Sequence, residues 1–111
     1  MATLFTKIIN GEIPSDRVHE DALCVAFRDI NAVAPTHILV VPRKEIPRLD
    51  AADEGDEALL GHLLRVASLV AKQEGLTDFR VAINNGAGAG QSVFHLHVHV
   101  IGGRSLSWPP G

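Results

Sequence analysis

Near its C-terminus the chain reads HLHVHVI, with His95, His97 and His99 at alternate positions. Neutral imidazole titrates near pH ~6.5, so it can act as nucleophile, acid or base at physiological pH, or as a metal ligand. Just upstream stands the loop NNGAGAGQS, residues 84 to 92. Gly86, Gly88 and Gly90 would let backbone N–H groups approach a bound anion closely, and Ser92 adds a hydroxyl donor. The loop lacks the Gly-Lys-Ser/Thr ending of a P-loop, and no helix follows it as a dinucleotide fingerprint requires. A phosphate held there would lie against the imidazoles. If one histidine attacked the phosphorus, a covalent phosphoimidazole would form, and a hard hydrolysis would split into two easier steps.

Metal ligation is the rival chemistry. Positions i and i+4 of a strand lie ~13 Å apart, so three histidines of one strand do not easily close around one ion. Two could, with His37 as a third ligand, but neither a Cys pair nor an Asp/Glu cluster accompanies the triple in sequence. A row of histidines without chemistry is the third reading.

These residues need elements to position them. On a strand, His95, His97 and His99 share one face, while Leu96, Val98 and Val100 supply the core side. Residues 93 to 101 therefore read as the last strand. Residues 3 to 15, TLFTKIINGEIPS, read as a short amphipathic helix with Thr3 as N-cap and Gly11 and Pro14 as stops. VHED and LCVAFRDI suggest a hairpin around Glu20-Asp21, and HILVVP follows the break at Ala34-Pro35. A long helix covers ALLGHLLRVASLVAKQEG, ending at Gly75, and FRVAIN is a further strand. The pattern predicts a single domain over residues 1–111 of the α+β class. Its sheet has five strands and is mostly antiparallel, with one long and one short helix.

The long helix carries more apolar surface than one sheet face buries. Leu59, Leu60, Leu63, Leu64, Val66, Ala67, Val70 and Ala71 cover an arc of roughly 160°, against ~100° for a surface helix. A symmetry mate or a covering loop would account for the excess.

Composition narrows the class of function. The chain has 111 residues, 46% of them hydrophobic, and a net charge of −3. That is enough for a core without staples. Its one cysteine, Cys24, sits in the apolar run LCVAF and reads as a small buried hydrophobe. There is no basic stripe for a nucleic-acid polymer and no run approaching the ~20 apolar residues of a membrane span. The expectation is a cytoplasmic protein with a small anionic ligand.

HLHVHVI fits the His-φ-His-φ-His-φ-φ signature of the histidine triad (HIT) superfamily. The resemblance extends through FTKIINGEIPS, AFRDINAVAPTHILVVPRK, NNGAGAGQSVFHLHVHVIGGR and the terminal WPPG. The chain is similar to the histidine triad nucleotide-binding proteins, which are purine nucleoside phosphoramidases and AMP-lysine hydrolases. That resemblance implies a HIT-like homodimer whose two sheets join into one ten-stranded sheet, with the tail 104–111 at the dimer and active site. It implies a purine nucleoside monophosphate or phosphoramidate substrate and needs no cofactor and no metal. His97 matches the nucleophile, His99 the partner at the phosphate and leaving group, and His95 and His37 the supporting histidines. Asn84, Gly90 and Ser92 match phosphate contacts. Asp29 matches the carboxylate that binds ribose, and Leu4, Phe5, Ile8, Phe27 and Ile30 match the base pocket. Trp108 matches a tail residue that reaches the neighbouring subunit's site. His19 and His62 fall outside the match and carry no assigned role. The same site would also serve a nucleotide-binding regulatory or scaffold protein whose hydrolysis is incidental.

Overall fold

Thr3 accepts the Thr6 amide on its side chain and so caps helix α1 (Leu4–Ile9), in a computed structural model that describes residues 2–111. A hairpin follows, made of β1 (Arg17–Glu20) and β2 (Cys24–Arg28). Its turn forms because Asp21 Oδ1 accepts the amides of Leu23 and Cys24, at 2.8 and 2.9 Å. Strand β3 (Thr36–Pro42) comes next, then α2 (Glu57–Gln73), β4 (Phe79–Ala82) and β5 (Val98–Gly102). Gly75, at φ +78°, takes the left-handed turn that ends α2. The strand order is β1-β2-β3-β5-β4, and every neighbouring pair is antiparallel. The sheet expected to be mostly antiparallel is wholly so among the described strands.

Side-chain alternation builds two cores, one on each face of the sheet. Towards α2, Ala26, Ile38, Val40, Leu96, Val98 and Val100 pack with Leu63, Val66, Ala67, Val70 and Ala71. Towards α1, Val25, Phe27, Leu39 and Val41 pack with Phe5 and Ile8. Strand β3 is therefore buried along its whole length.

The last strand is shorter than its sequence pattern suggests. Pairing with β3 stops at Val40↔Val98 and pairing with β4 stops at Ala82↔His99, so residues 93 to 97 lie outside the ladder. Other partners take over there: Leu96 N–H donates to Ile46 O at 2.6 Å, and the His95 ring donates to Pro42 O at 2.8 Å. The facing inferred for this stretch nevertheless holds, because Leu96, Val98 and Val100 all join the α2-side core.

The wide apolar arc of α2 is only partly covered. Leu64, at its edge, stays 50% exposed, and no loop of the described chain closes over it. No helix among the described residues is long and apolar enough to cross a membrane.

Leu63 anchors α2 beneath the histidine-bearing strand and is 1% exposed. Leu63→Ala should lower the unfolding free energy by about 2 to 5 kcal/mol, read from the urea midpoint, because the closely packed interface cannot collapse into the gap.

Candidate active site

The cavity on the α1 face of the sheet, of about 280 Å³, brings together most of the residues singled out by sequence. Leu4, Phe5, Ile8, Phe27, Asp29, Ile30, Ser92, His97 and His99 all line it. A larger hollow, of about 620 Å³, lies between residues 75–80 and 103–106, but it holds no histidine and is open to solvent. His97 and His99 line the smaller one.

His97 is buried, 6% exposed, with its ring edge-on to Phe5 at 4.9 Å. Its Nδ1 lies 2.7 Å from the main-chain carbonyl of His95. A carbonyl only accepts, so Nδ1 carries the proton and Nε2 holds the free lone pair. His95 itself is fully buried and does not line the cavity. Its Nε2–H donates to Pro42 O, and its Nδ1 accepts from the Thr3 hydroxyl at 2.8 Å. Thr3, Thr6 and Glu45 extend this network. His95 thus meets His97 through its main-chain carbonyl, which fixes the His97 ring.

A second relay fixes His99. The Val33 amide donates to His37 Nδ1 at 3.1 Å, which leaves the His37 proton on Nε2. That N–H donates to His99 Nδ1 at 2.9 Å and stands 3.4 Å from Asp29 Oδ2. His99 must then carry its own proton on Nε2. This atom is buried and has no hydrogen-bond partner. Ser15 Oγ is the other such side-chain atom among the described residues, and Ser15 also lines the cavity. Both are unpaired polar groups beside one cavity, the kind of group that a bound ligand or water satisfies.

Asp29 does two jobs. Its Oδ1 accepts the Asn31 amide at 2.9 Å, the turn-forming role open to any Asp at a strand end, while Oδ2 faces His37. Ile30 is 96% exposed, so it is a rim residue and not core.

The glycine loop differs from the anion cradle its sequence suggests. The amides of Ala89, Gly90 and Gln91 donate to carbonyls within the loop, and Gly86 N–H donates to the side chain of Gln91. Gln91 is 4% exposed, and its amide group also donates to Pro47 O and Val93 O. The loop is wrapped around this buried amide, so only Ser92 and Val93 reach the cavity. Gly90, at φ +97°, allows the turn, and the Asn84 amide packs 3.5 Å from where its Cβ would stand. Neither Asn84 nor Gly90 lines the cavity. Trp108 is 79% exposed and lies under the Arg80 guanidinium at 5.8 Å, away from this chain's own cavity.

Sequence reasoning missed Ser15, Asn31, Leu39 and Val93 as lining residues, and Gln91 as the loop's organiser. The Gln91 signal was present as a lone amide inside a glycine run. Ser15 and Leu39 carry no local signal, since their place depends on how α1 lies on the sheet.

Among the described residues no free cation lines the cavity. Arg28 does, but Glu74 and Asp16 engage its guanidinium. Burial depresses the pKa of all three triad histidines. For His99, burial together with the neighbouring His97 and His37 brings the value down to about 4. The donor atoms of Asp29, His37 and His99 also lie within 4.8 Å of one another, so the carboxylate that the sequence left remote from the histidines stands among them.

The HIT domain family matches residues 10–106. The chain belongs to the HIT domain family. It is 57% identical over 110 residues to an uncharacterized HIT-like protein of Synechocystis, covering 98% of this chain and 96% of that one. It is 54% identical over 112 residues to the 14 kDa zinc-binding protein of Zea mays, covering 98% and 88%. Among solved structures, a HIT family hydrolase from Legionella pneumophila superposes with a TM-score of 0.96 at 44% identity, covering 99% and 100%. The α+β architecture is that of the family.

Neutral burial of the histidines gives this HIT domain a defined acid response. Their folded-state pKa values lie below the unfolded value near ~6.5, so at lower pH the unfolded chain binds more protons. Stability should be fully present above pH ~6.5 and be lost as pH falls towards about 4, the folded value of His99. Denaturant midpoints measured from pH 7.5 to 4.5 check this, and a flat profile would contradict neutral burial.

Proposed function

We propose that this HIT protein is a purine nucleoside phosphoramidase of the AMP-lysine hydrolase type, binding nucleoside monophosphates and hydrolysing P–N bonds through a nucleotidyl-histidine. The observation that carries the reading is the pairing of an unprotonated His97 Nε2 with an unpartnered His99 Nε2–H at one cavity. One is a nucleophile and the other a donor, and both are set by fixed hydrogen bonds.

In the first step the His97 Nε2 lone pair forms a bond to phosphorus as the P–N bond breaks. The departing amine takes a proton from solvent, passed along the Ser92 hydroxyl and the His99 N–H beside it. In the second step water attacks phosphorus and returns a proton to solvent along the same path, the Nε2–P bond breaks, and the nucleoside monophosphate leaves with His97 restored. Neutral N–H and O–H donors meet the charge on the phosphate oxygens, since the one arginine at the cavity is already paired. His37 and His95 act by positioning. Asp29 Oδ2, 3.4 Å from His37, keeps lone pairs for the ribose hydroxyls, and Leu4, Phe5, Ile8, Phe27 and Ile30 offer the purine an apolar slot. Ser15 offers the base a hydroxyl. Asn84 and Gly90 would shape the loop that presents Ser92 to the phosphate.

His97→Ala should abolish both turnover of an adenosine phosphoramidate and formation of an acid-labile nucleotide adduct. AMP binding should largely persist, because base and ribose contacts lie elsewhere. Near-native turnover by that variant would rule out the covalent route. Loss of activity on chelation, restored by zinc, would favour a metal held by Asp29, His37 and His99, a reading in keeping with the maize relative's name. AMP binding without measurable turnover would favour the regulatory reading. Asp29→Ala should weaken AMP binding by about 1.5 to 3 kcal/mol, the range for hydrogen bonds to charged groups, and 2′-deoxy nucleotides should already bind less well to the native protein.

A homodimer is part of the proposal, formed by the uncovered α2 face and the β4 edge, with Trp108 reaching the partner's cavity. Leu63 and Val66 are spent on the sheet, so Leu64 is the residue to test. Leu64→Asp should yield a folded monomer by sedimentation at micromolar concentration. A native protein already monomeric there would remove the claim.

A further inference from the structure

Two of the three histidines outside the triad motif, His19 and His62, meet at one carboxylate. His19 Nε2 lies 2.7 Å and His62 Nε2 2.8 Å from Asp21 Oδ2. The thiol of Cys24 points at the same oxygen, 3.6 Å away. The other carboxylate oxygen is occupied by the Leu23 and Cys24 amides, so Oδ2 is aimed at these three groups by the turn itself. The donor atoms of His19, Asp21 and Cys24 all lie within 4.8 Å of one another.

Backbone irregularity brings His19 there. Between β1 and β2 the register runs Arg17↔Phe27 and then His19↔Ala26, so Val18 is an extra residue on β1. Simple alternation would put Val18 and His19 on opposite faces. With the bulge, Val18 packs against the α2-side core and His19 also turns to that side, where α2 presents His62. Residues from β1, the turn, β2 and α2 thus converge on one point.

We infer that His19, Asp21, Cys24 and His62 form a second site, separate from the triad cavity, that takes a divalent ion of borderline softness such as zinc and ties α2 to the β1–β2 hairpin. Two imidazoles, one carboxylate and one thiolate make a tetrahedral donor set suited to zinc. Binding releases one proton, that of the thiol, to solvent. Each imidazole keeps a single proton, moved to Nδ1, and its Nε2 lone pair binds the metal. The carboxylate and thiolate charges then balance the ion. At metal–ligand bonds of ~2.0 to 2.3 Å, tetrahedral donors sit ~3.3 to 3.8 Å apart, so each imidazole must retreat by about half an ångström or more. Both rings have surface room to do so, with side chains 17% and 30% exposed. Two features oppose uptake. Burial, with Asp21 beside it, pushes the Cys24 thiol up to about 12, and Arg43 donates to the Asp21 carbonyl nearby. The ion must displace the thiol proton against the first of these.

Cys24 is the chain's one cysteine, which makes a thiolate signal specific to this site. Full-length protein freed of metal by chelation is titrated with Co²⁺. The expected result is a thiolate-to-cobalt charge-transfer band saturating at one ion per chain, with tetrahedral d–d bands, and bleached by Zn²⁺. His19→Gln and His62→Gln should each weaken Co²⁺ binding roughly tenfold or more, by analogy with lost coordination support. His99→Asn should leave the band unchanged. Zn²⁺ should raise the thermal midpoint of the native protein and not that of His19→Gln. No thiolate band at saturating Co²⁺, or an unchanged binding midpoint in both histidine variants, would overturn the proposal and leave a hydrogen-bonded cluster alone. The histidine variants carry the test because Cys24→Ser lies in the core, where a failure to fold would be uninformative.

Discussion

The stretch from His95 to Gly102 must bury Leu96, Val98 and Val100 on one face of the sheet and enclose its imidazoles on the other, and the rest of the molecule depends on how that constraint is met. Alternation sends Val98 and Val100 into the α2-side core and His99 to the α1 side. His97, just before the strand, keeps the same facing because Leu96 beside it is drawn into the aliphatic core. Removing either helix would expose one side of this arrangement. With both in place, the histidines are enclosed without being packed into the aliphatic core.

Enclosure decides their chemistry. Burial keeps each triad imidazole neutral, and a neutral imidazole has one donor and one acceptor nitrogen. Backbone groups at fixed positions then select which is which. The His95 carbonyl takes the His97 proton, and the Val33 amide, relayed through His37, leaves the His99 proton on Nε2. Two chemically identical side chains, 4.9 Å apart between ring centroids, acquire opposite roles from these contacts. A protonated cluster would lose that distinction, since every ring nitrogen would become a donor.

Electrostatics reinforces the division between site and scaffold. The arginine at the cavity is neutralised by Glu74 and Asp16, while Asp29 stands beside His37 and Glu45 joins the network of His95. An anionic ligand would be held by dipoles rather than by a full positive charge. Such contacts act in a partly dry pocket, where they are stronger than in water.

Much of this was legible in the sequence, for a physical reason. Period-two alternation in HLHVHVI, the Thr3 cap, the glycine at position 75 and the apolar arc of α2 are local patterns that local sterics and hydrophobicity enforce. They determined the class of fold, the element order, the facing of the histidines and, through the motif, the family. What only the tertiary structure decided were relations between distant segments. The Thr3 hydroxyl meets His95 across 92 positions, and His37 meets His99 across 62. Gln91 turns a presumed anion cradle into a self-bonded loop, the ladder ends before His97, and a single extra residue at Val18 swings His19 to Asp21 and His62. Hydrogen bonds of this kind depend on distances of a few tenths of an ångström between chains packed in three dimensions. No residue spacing along one dimension encodes them.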